Sequence, residues 1–319
     1  MILVTGATGF VGRHLCRMLI ERGYRVRGTL RRDAVGGAIA ASVEPVLVGD
    51  IGPNTDWTDA LRGVSCVVHL AARVHVVQEA DPDPVAAFRR DNVQATVRLA
   101  QAAGACGVRR LVFASSARVN GPSSGEAPFR ESDAPVPAEP YEQSKLEAER
   151  GLAGVASATG LECVTVRAPL VYGPGVKANF LSLMRALDRR WPLPLGAIRN
   201  RRSLIYVGNL ASAMLAALVH PGASGRTYLV SDGEDVSTPE LARRIAEALG
   251  REARLPRVPV GLLRAAGRLV GREGAVERLF ASLQVDSRAI RDELGWRPPH
   301  TMAHGLEQTA HWYRSVART

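Results

Sequence analysis

Short apolar runs alternate with amphipathic segments of helical spacing from residue 1 to about residue 170. The run MILVTG is followed by FVGRHLCRMLIERG, and VRRLVFASS is followed, after a loop, by YEQSKLEAERGLAGVASATG. Such runs predict buried strands, and apolar residues three and four positions apart predict helices. Parallel strands are connected through helices that cross over in the right-handed sense. The alternation therefore predicts an α/β fold built on a doubly wound parallel sheet, with helices on both faces.

The turn TGATGFVG joins the first predicted strand to the first predicted helix, and its glycines Gly6, Gly9 and Gly12 stand three residues apart. In this context the first glycine permits a tight turn, the second lets the backbone approach a pyrophosphate, and the third lets the helix pack closely on the sheet. The N-terminus of the helix then offers N–H groups and the positive end of its dipole to phosphates. A glycine-rich turn without a ligand is the alternative. The position of the turn favours a Rossmann domain that binds NAD(H) or NADP(H).

Beyond residue 170 the alternation weakens, and loops rich in proline and glycine, such as WPLPLGAIRN, separate short helical segments. We therefore expect residues 1–170 to form the NAD(P)-binding Rossmann domain. Residues 171–319 would form a smaller C-terminal substrate-binding region, and part of residues 204–235 would return to the Rossmann domain.

The residues after the second predicted strand bear on the choice between the two nicotinamide cofactors. An acidic side chain there hydrogen-bonds the adenosine ribose of NAD, whereas arginine accommodates the 2′-phosphate of NADP. The stretch GTLRRD places Arg31 and Arg32 there, ahead of Asp33. This order favours NADP(H) over NAD(H), unless both arginines point into solvent.

Tyr141 and Lys145 in the segment YEQSK are four residues apart, which places them on one face of the predicted helix. Of the 41 Lys+Arg residues, the lysines are Lys145 and Lys177 alone, so a lysine here indicates a need that arginine would not meet. A nearby ammonium and a positively charged nicotinamide would both lower the pKa of the phenol. Tyr141 could then exchange a proton with a substrate hydroxyl or ketone, with Ser116 close by at the end of the fifth predicted strand. A solvent-exposed pair on a helix surface is the alternative.

A series of motifs in one order makes the sequence resemble the extended short-chain dehydrogenase/reductase family: TGATGFVG, HLAA, DNVQAT, SSARVNG, YEQSK, VRAPLVYGPG, RRSLIYVGNLA and VDSRAIRDELGW. Within that family the sequence is most similar to the nucleotide-sugar epimerases and 4-keto reductases, a group that includes the UDP-galactose 4-epimerases. The resemblance covers nearly the whole chain. It implies an NAD(P)-dependent enzyme that transfers a hydride at C4 of a nucleotide-diphosphate sugar, either a UDP-hexose or a UDP-N-acetylhexosamine.

The resemblance also implies roles for individual residues. Ser116 would hydrogen-bond the reacting oxygen, Tyr141 would be the acid/base, and Lys145 would be its catalytic partner. Together with Arg31 and Arg32, the cofactor contacts would be Gly6, Gly9, Phe10, Val11, Gly12, Asp50, Ile51, Leu70, Ala71, Ala72, Asn92, Tyr141, Lys145 and Pro169. The substrate diphosphate would be bound by Asn179 and Arg202. Arg73 and His75 are further candidates for substrate contact, with a purely structural histidine as the alternative.

Two departures from the family pattern bear on the reaction. The epimerases usually carry tyrosine where this chain has Asn120, and sugar 4,6-dehydratases carry an Asp-Glu pair where this chain has Ala117 and Arg118. Without those carboxylates the acid and base that eliminate water are missing. Arg31, Arg32 and Asn120 favour a UDP-4-keto-sugar reductase that uses exchangeable NADPH. A UDP-sugar 4-epimerase with tightly bound NAD is the alternative, and a cofactor-sensing regulatory module is a third hypothesis.

Composition argues against several other function classes. The formal net charge is +10, but the arginines are scattered without interleaved aromatic residues, which argues against nucleic-acid binding. The 4 cysteines stand singly in apolar stretches, which predicts reduced core residues and no metal site. No apolar run reaches the ~20 residues of a membrane span, and MILVTG has the pattern of a strand rather than of a signal peptide. We therefore expect a cytoplasmic protein without a membrane span, and the resemblance implies a homodimer.

Overall fold

The computed structural model of the protein describes residues 1–31, 40–74, 83–269, 271 and 273–317. Within these residues the strands are β1 (Ile2–Thr5), β2 (Val26–Leu30), β3 (Glu44–Leu47), β4 (Cys66–His69), β5 (Arg110–Ser116), β6 (Glu162–Ala168), β7 (Leu170–Tyr172), β8 (Arg202–Tyr206), β9 (Thr227–Leu229) and β10 (Asp235–Val236). The main sheet has the order β3–β2–β1–β4–β5–β6–β9, and every pair in it is parallel. This order reverses between β1 and β4, as it does in doubly wound folds. The predicted α/β fold is confirmed.

The helices follow the strands in the predicted alternation. They are α1 (Phe10–Glu21), α2 (Thr58–Leu61), α3 (Pro84–Phe88), α4 (Ala95–Ala105), α5 (Pro140–Thr159), α6 (Ala178–Asp188), α7 (Val207–Val219), α8 (Thr238–Ala248), α9 (Val260–Leu269), α10 (Glu273–Phe280), α11 (Arg288–Leu294) and α12 (Met302–Ala317). A π-helical segment spans Arg89–Gln94, and 3₁₀ turns span Ala117–Val119 and Pro221–Ala223. In the described part of the chain, none of these helices has the length and apolar character needed to cross a bilayer.

The main sheet is covered on both faces because side chains along a strand point alternately to either side. On β1, Ile2 and Val4 join a core to which α1 and α7 contribute, whereas Leu3 joins a second core on the opposite face, built with α4 and α5. All three side chains are almost completely buried. The carboxyl ends of the parallel strands therefore meet at one edge of a layered unit, which is where such folds bind ligands.

A smaller sheet, in the order β10–β8–β7, lies beyond the main one, with β7 parallel and β10 antiparallel to β8. A third apolar core joins this sheet to α6, α8 and α12. Two elements that come late in the chain belong to the main sheet instead: β9 pairs with β6, and α7 packs on α1. The division into domains at residue 170 stays a prediction.

Two elements differ from the sequence-based expectation. The predicted sixth strand, LECVTVRAPLVYG, divides at Pro169 into β6 and β7, which belong to different sheets. Proline has no N–H group for the ladder, so a strand can change partners at that point. The long helix predicted over PVAAFRRDNVQATVRLAQAAGACG is interrupted by the π-helical turn at Arg89–Gln94. Apolar periodicity gives no signal for one such turn, and π-bulges often occur at functional sites.

Candidate active site

The glycine-rich turn closes tightly between β1 and α1. Gly6 has a φ of +68°, in the left-handed region that favours glycine, and its carbonyl accepts a hydrogen bond from Gly9 N at 2.9 Å. A Cβ atom on Gly12 would lie 2.1 Å from the same carbonyl oxygen. Gly9 is the N-cap of α1, which has no side-chain cap and no acidic residue in its first turn. The start of α1, formed by Phe10 and Val11, is therefore suited to an anion such as a pyrophosphate.

The residues predicted to face the adenosine lie beyond the ends of β2 and β3. Arg31 follows β2 directly; its side chain is 78% exposed, and its Nε lies 3.4 Å from Asp50 Oδ1. Ile51 is half-buried beside them in sequence. Arg32 and the substrate candidate His75 lie outside the described residues. The structure thus brings together two of the predicted adenosine contacts, and it gives Arg31 a carboxylate partner.

A buried histidine that was not among the predicted site residues connects the ends of β1 and β4. His69 Nδ1 lies 2.7 Å from Thr5 Oγ1, and its Nε2 lies 2.9 Å from Thr96 Oγ1. The Thr96 hydroxyl donates to Asn92 O at 2.6 Å. It must therefore accept from His69 Nε2, which leaves Nδ1 to accept from Thr5. Burial, followed by the nearby charge of Lys145, lowers the pKa of His69 to about 3, so the ring is neutral as this chain of hydrogen bonds requires.

The loop after β4 is held by the same threonine. The N–H groups of Leu70 and Ala71 both donate to Thr5 Oγ1 at 3.2 Å. A Cβ atom on Gly6 would lie only 3.0 Å from Ala71 N. The glycine-rich turn therefore lies against the start of the loop after β4, which contains the predicted cofactor contacts Leu70, Ala71 and Ala72. The signal for His69 was available in the motif HLAA, as a polar residue at the end of a buried strand.

Asn92 lies in the π-helical segment and connects this loop to α5. Its side chain is almost fully buried; Oδ1 accepts from Arg73 N at 2.7 Å, and Nδ2 donates to Arg73 O at 3.0 Å and to Ser144 Oγ at 2.9 Å. The Ser144 hydroxyl donates in turn to Tyr141 O at 2.7 Å. The Arg73 guanidinium is paired with Asp91 at 3.2 Å. Asn92 thus connects the loop after β4 to the first turn of α5, and its role as a cofactor contact stays a prediction.

The three predicted catalytic residues lie on two neighbouring elements. Ser116 is the last residue of β5, and its Oγ accepts a hydrogen bond from Arg118 N at 3.2 Å. Tyr141 and Lys145 lie one turn apart on α5, which packs on β5. Lys145 Nζ donates to Ala114 O at 2.8 Å, so the ammonium reaches the strand two residues before Ser116. The alternative of a lysine exposed on the helix surface is wrong, because Lys145 is 3% exposed.

Burial dominates the electrostatics of Tyr141 and Lys145. It lowers the pKa of Lys145 to about 7, against a smaller opposite effect of Glu149, and Nζ lies 4.4 Å from the centre of the Phe113 ring. It raises the pKa of Tyr141 to about 12, with a further rise caused by Glu142. The sequence-based expectation was a lowered phenol pKa, and it counted the charge of a bound nicotinamide. In the protein without that charge the pKa is raised instead, because burial disfavours the phenolate, and the lowering by a bound nicotinamide stays a prediction.

A second buried network lies behind β5 and includes Asn120. Glu149 accepts from Ser115 Oγ and from Arg167, whose Nε and Nη2 lie at 3.1 and 2.6 Å. Arg167 Nη1 donates to Asn120 Oδ1 at 2.9 Å, and Asn120 Nδ2 donates to Arg130 O at 3.0 Å. Asn120 is 2% exposed and uses both ends of its amide in this network. Its departure from the family tyrosine therefore gives no support for a reductase.

The remaining candidates come from the second sheet and its helices. Arg202, at the start of β8, has its pKa lowered by burial and then by the charge of Arg118. Its Nη1 donates to Arg278 O at 3.5 Å, and the described residues offer it no carboxylate partner. A guanidinium without a carboxylate partner is suited to an anion such as a phosphate. Asn179 is exposed in the first turn of α6, and Pro169 is buried between β6 and β7.

A pocket of about 780 Å³ is lined in part by Arg201, the residue before Arg202 in the chain. Its lining residues are Gly196, Ala197, Ile198, Arg199, Asn200, Arg201, Asp235, Ser237, Pro239, Arg243 and Arg257. None of the predicted site residues lines it. Across the described residues, no group of three or more His, Cys, Asp or Glu side chains could hold a metal ion.

Comparison with known proteins gives a consistent result. A UDP-glucose 4-epimerase of Vibrio cholerae is 41% identical over 312 residues, which is 97% of this chain and 94% of that protein. The solved structure of MoeE5 in complex with UDP-glucose and NAD is 27% identical with a TM-score of 0.77, covering 99% of both chains. The UDP-glucose 4-epimerase of Thermotoga maritima, solved with UDP-glucose, has a TM-score of 0.80 at 23% identity, again over 99% of both chains.

Residues 2–231 match the family described as the NAD dependent epimerase/dehydratase family. This span contains the glycine-rich turn, Ser116, Tyr141, Lys145 and Arg202. The predicted enzyme class, an NAD(P)-dependent member of the extended short-chain dehydrogenases/reductases, is confirmed. The chain therefore belongs to the NAD dependent epimerase/dehydratase family.

Proposed function

We propose that this protein is a UDP-hexose 4-epimerase that works with tightly held NAD. The observation that carries the proposal is the 41% identity to the UDP-glucose 4-epimerase of Vibrio cholerae over 97% of this chain. The placement of Ser116 at the end of β5, and of Tyr141 and Lys145 on the adjacent α5, supports it. The epimerase is the alternative that the sequence motifs left open, and the comparisons favour it over the UDP-4-keto-sugar reductase.

The residues of the turn fit a dinucleotide. The Gly6 carbonyl occupies the space that a Cβ atom on Gly12 would fill. The turn therefore packs closely against the start of α1, as in turns that bind a pyrophosphate. Bound at this turn, NAD would supply a reversible hydride acceptor for C4 of the sugar. In this proposal Asn92 and Thr5 hold the two ends of the loop after β4, which would line the cofactor.

The protein's own residues handle the proton and orient the sugar. Tyr141 takes the proton from the 4-hydroxyl. It returns this proton to the 4-keto sugar after the sugar has rotated to present its opposite face. Ser116 hydrogen-bonds the same oxygen. Lys145, held by Ala114 O at 2.8 Å, supplies positive charge beneath the phenol. Arg202 and Asn179 bind the diphosphate, which anchors the nucleotide while the sugar moves.

NAD, rather than NADP, is part of this proposal. The sequence-based preference for NADP depended on Arg31 and Arg32. Arg31 is largely exposed and has Asp50 as its ion partner at 3.4 Å, and Arg32 lies outside the described residues. The similar MoeE5 structure was solved in complex with NAD, which supports the same choice here.

The deciding experiment is to purify the protein without added cofactor and to incubate it with UDP-galactose. We expect NAD to remain bound through gel filtration and UDP-glucose to form without added NAD(H) or NADP(H). A Tyr141→Phe variant should bind NAD equally well and lose ~10²–10⁴-fold in turnover. An empty protein that consumes NADPH with a UDP-4-keto sugar would overturn the proposal in favour of the reductase.

A further inference from the structure

An ion pair between Arg118 and Glu142 joins the two halves of the candidate site. Arg118 Nε donates to Glu142 Oε1, and Arg118 Nη2 lies 3.4 Å from Glu139 Oε1. The side chain of Glu142 is 1% exposed and that of Arg118 is 25% exposed. A carboxylate this deeply buried is stable only with partners that satisfy its charge.

Glu142 is fixed from two sides. Its second oxygen, Oε2, accepts from Ala138 N at 2.8 Å and from Glu139 N at 3.0 Å, just ahead of the first turn of α5. Arg118 is fixed as well, because its backbone N donates to Ser116 Oγ at 3.2 Å. Arg118 therefore contacts the predicted catalytic serine with its backbone, and with its side chain it contacts the residue that follows Tyr141.

The charge of Glu142 opposes ionisation of the neighbouring phenol, since it contributes to the raised pKa of Tyr141. The cation of Arg118 pairs with the same carboxylate through Oε1. Among the described residues, further charges on the elements around the phenol include Lys145 on α5 and the Arg73–Asp91 pair. That pair lies beside Phe88, whose ring meets the Tyr141 ring at 6.2 Å. Among these groups, the Arg118–Glu142 pair alone spans from the Ser116 turn to the start of α5.

We propose that the Arg118–Glu142 pair is a positioning element of the catalytic site, which locks the Ser116 turn to the first turn of α5 and offsets the carboxylate charge beside Tyr141. The inference rests on the proposed role of Tyr141 as acid/base. It also accounts for the arginine at a position where the sugar dehydratases carry a carboxylate. Arg118 neutralises a buried acid in this protein, whereas a carboxylate there would repel Glu142.

The test is a cycle of Arg118→Gln, Glu142→Gln and the double variant in the NAD-loaded enzyme. Glutamine at 142 keeps an acceptor for the two N–H groups and removes only the charge. Arg118→Gln should raise the phenol pKa by about one unit or more, and Glu142→Gln should lower it by a similar amount. The double variant should return close to wild type. Arg118→Lys, which retains the charge, should recover most of the wild-type value.

The first readout is the pH profile of kcat. The second is the tyrosinate absorbance of each protein as a function of pH, after subtraction of the absorbance of the same protein carrying Tyr141→Phe. Arg243→Gln, which breaks a surface pair with Glu240 on α8, is the matched control and should leave both unchanged. Shifts of the same sign in the two single variants, or none, would overturn the inference. If Tyr141→Phe retains turnover, the proposed function fails, yet the absorbance titration still shows whether the pair controls the phenol.

Discussion

Lys145 combines a buried ammonium with a hydrogen bond to the backbone of β5. Its pKa of about 7 lies below the ordinary lysine value of 10.5, so the unfolded chain binds more protons between these two pH values. The free energy of unfolding of the cofactor-free protein therefore rises as the pH increases across this window. Lys145→Met removes that dependence, and its stability relative to wild type should be greatest near pH 7 and should decline toward pH 10.5.

Urea unfolding of the cofactor-free proteins at several pH values measures this difference. Lys177→Met, at the other lysine and on an exposed position, is the control and should follow the wild-type curve. Both Lys145→Met and Lys145→Arg should lose most of their turnover, because a planar guanidinium cannot replace a compact ammonium at a buried position. Parallel stability curves for wild type and Lys145→Met would show that burial does not control this lysine.

At the scale of single residues, local spacing identifies candidates for the site, but it gives no signal for contacts between residues that are far apart in the chain. Ser116, Tyr141 and Lys145 could be found because they follow a strand end and a four-residue helical spacing. The buried network of Asn120 could not be predicted, because its partner Arg167 is 47 residues away. The same holds for Arg118 and Glu142, which are 24 residues apart, since a single sequence gives no signal for an ion pair formed by folding.

At the scale of elements, the start of α1 depends on the absence of a side chain at one position. Gly12→Ala would place a Cβ atom 2.1 Å from Gly6 O and 2.8 Å from Ala7 Cα, both backbone atoms. The turn must then open, and we expect the variant to lose NAD binding by at least tenfold while retaining its helical content. Gly261→Ala in α9 is the matched control, because a Cβ atom there has no neighbour within 4 Å.

Titration of the stripped protein with NAD, followed by calorimetry, distinguishes these variants. Wild-type affinity in Gly12→Ala would mean that the turn has room for a side chain.

Alternation of apolar runs was enough to predict these elements, because the period of a strand and that of a helix differ. It did not predict the division of one run at Pro169 or the π-helical turn that carries Asn92, where the backbone changes within a continuous pattern.

At the scale of the whole molecule, the homodimer stays a prediction. The resemblance implies that helices from residues 85–106 and 141–158 of two copies form a four-helix interface. Ala153 is exposed on the outer side of α5, and Ala153→Glu would place two like charges near each other in such a symmetric contact. We expect wild type to be a dimer and Ala153→Glu a monomer by light scattering at micromolar concentration. Ala265→Glu, exposed on α9, should remain a dimer, and a monomeric wild type would contradict the prediction.

The late return of α7 and β9 to the main sheet limits how such a chain can be recombined during evolution. A fragment that ends near residue 170 would leave β6 as an open edge, which is a template for unwanted pairing. It would also uncover the face of α1 on which α7 packs. Keeping residues 207–229 with residues 1–170 would preserve both contacts in a chimera of two relatives. A single crossover near residue 170 would therefore build one sheet from two parents, with β9 and α7 of one packing on β6 and α1 of the other.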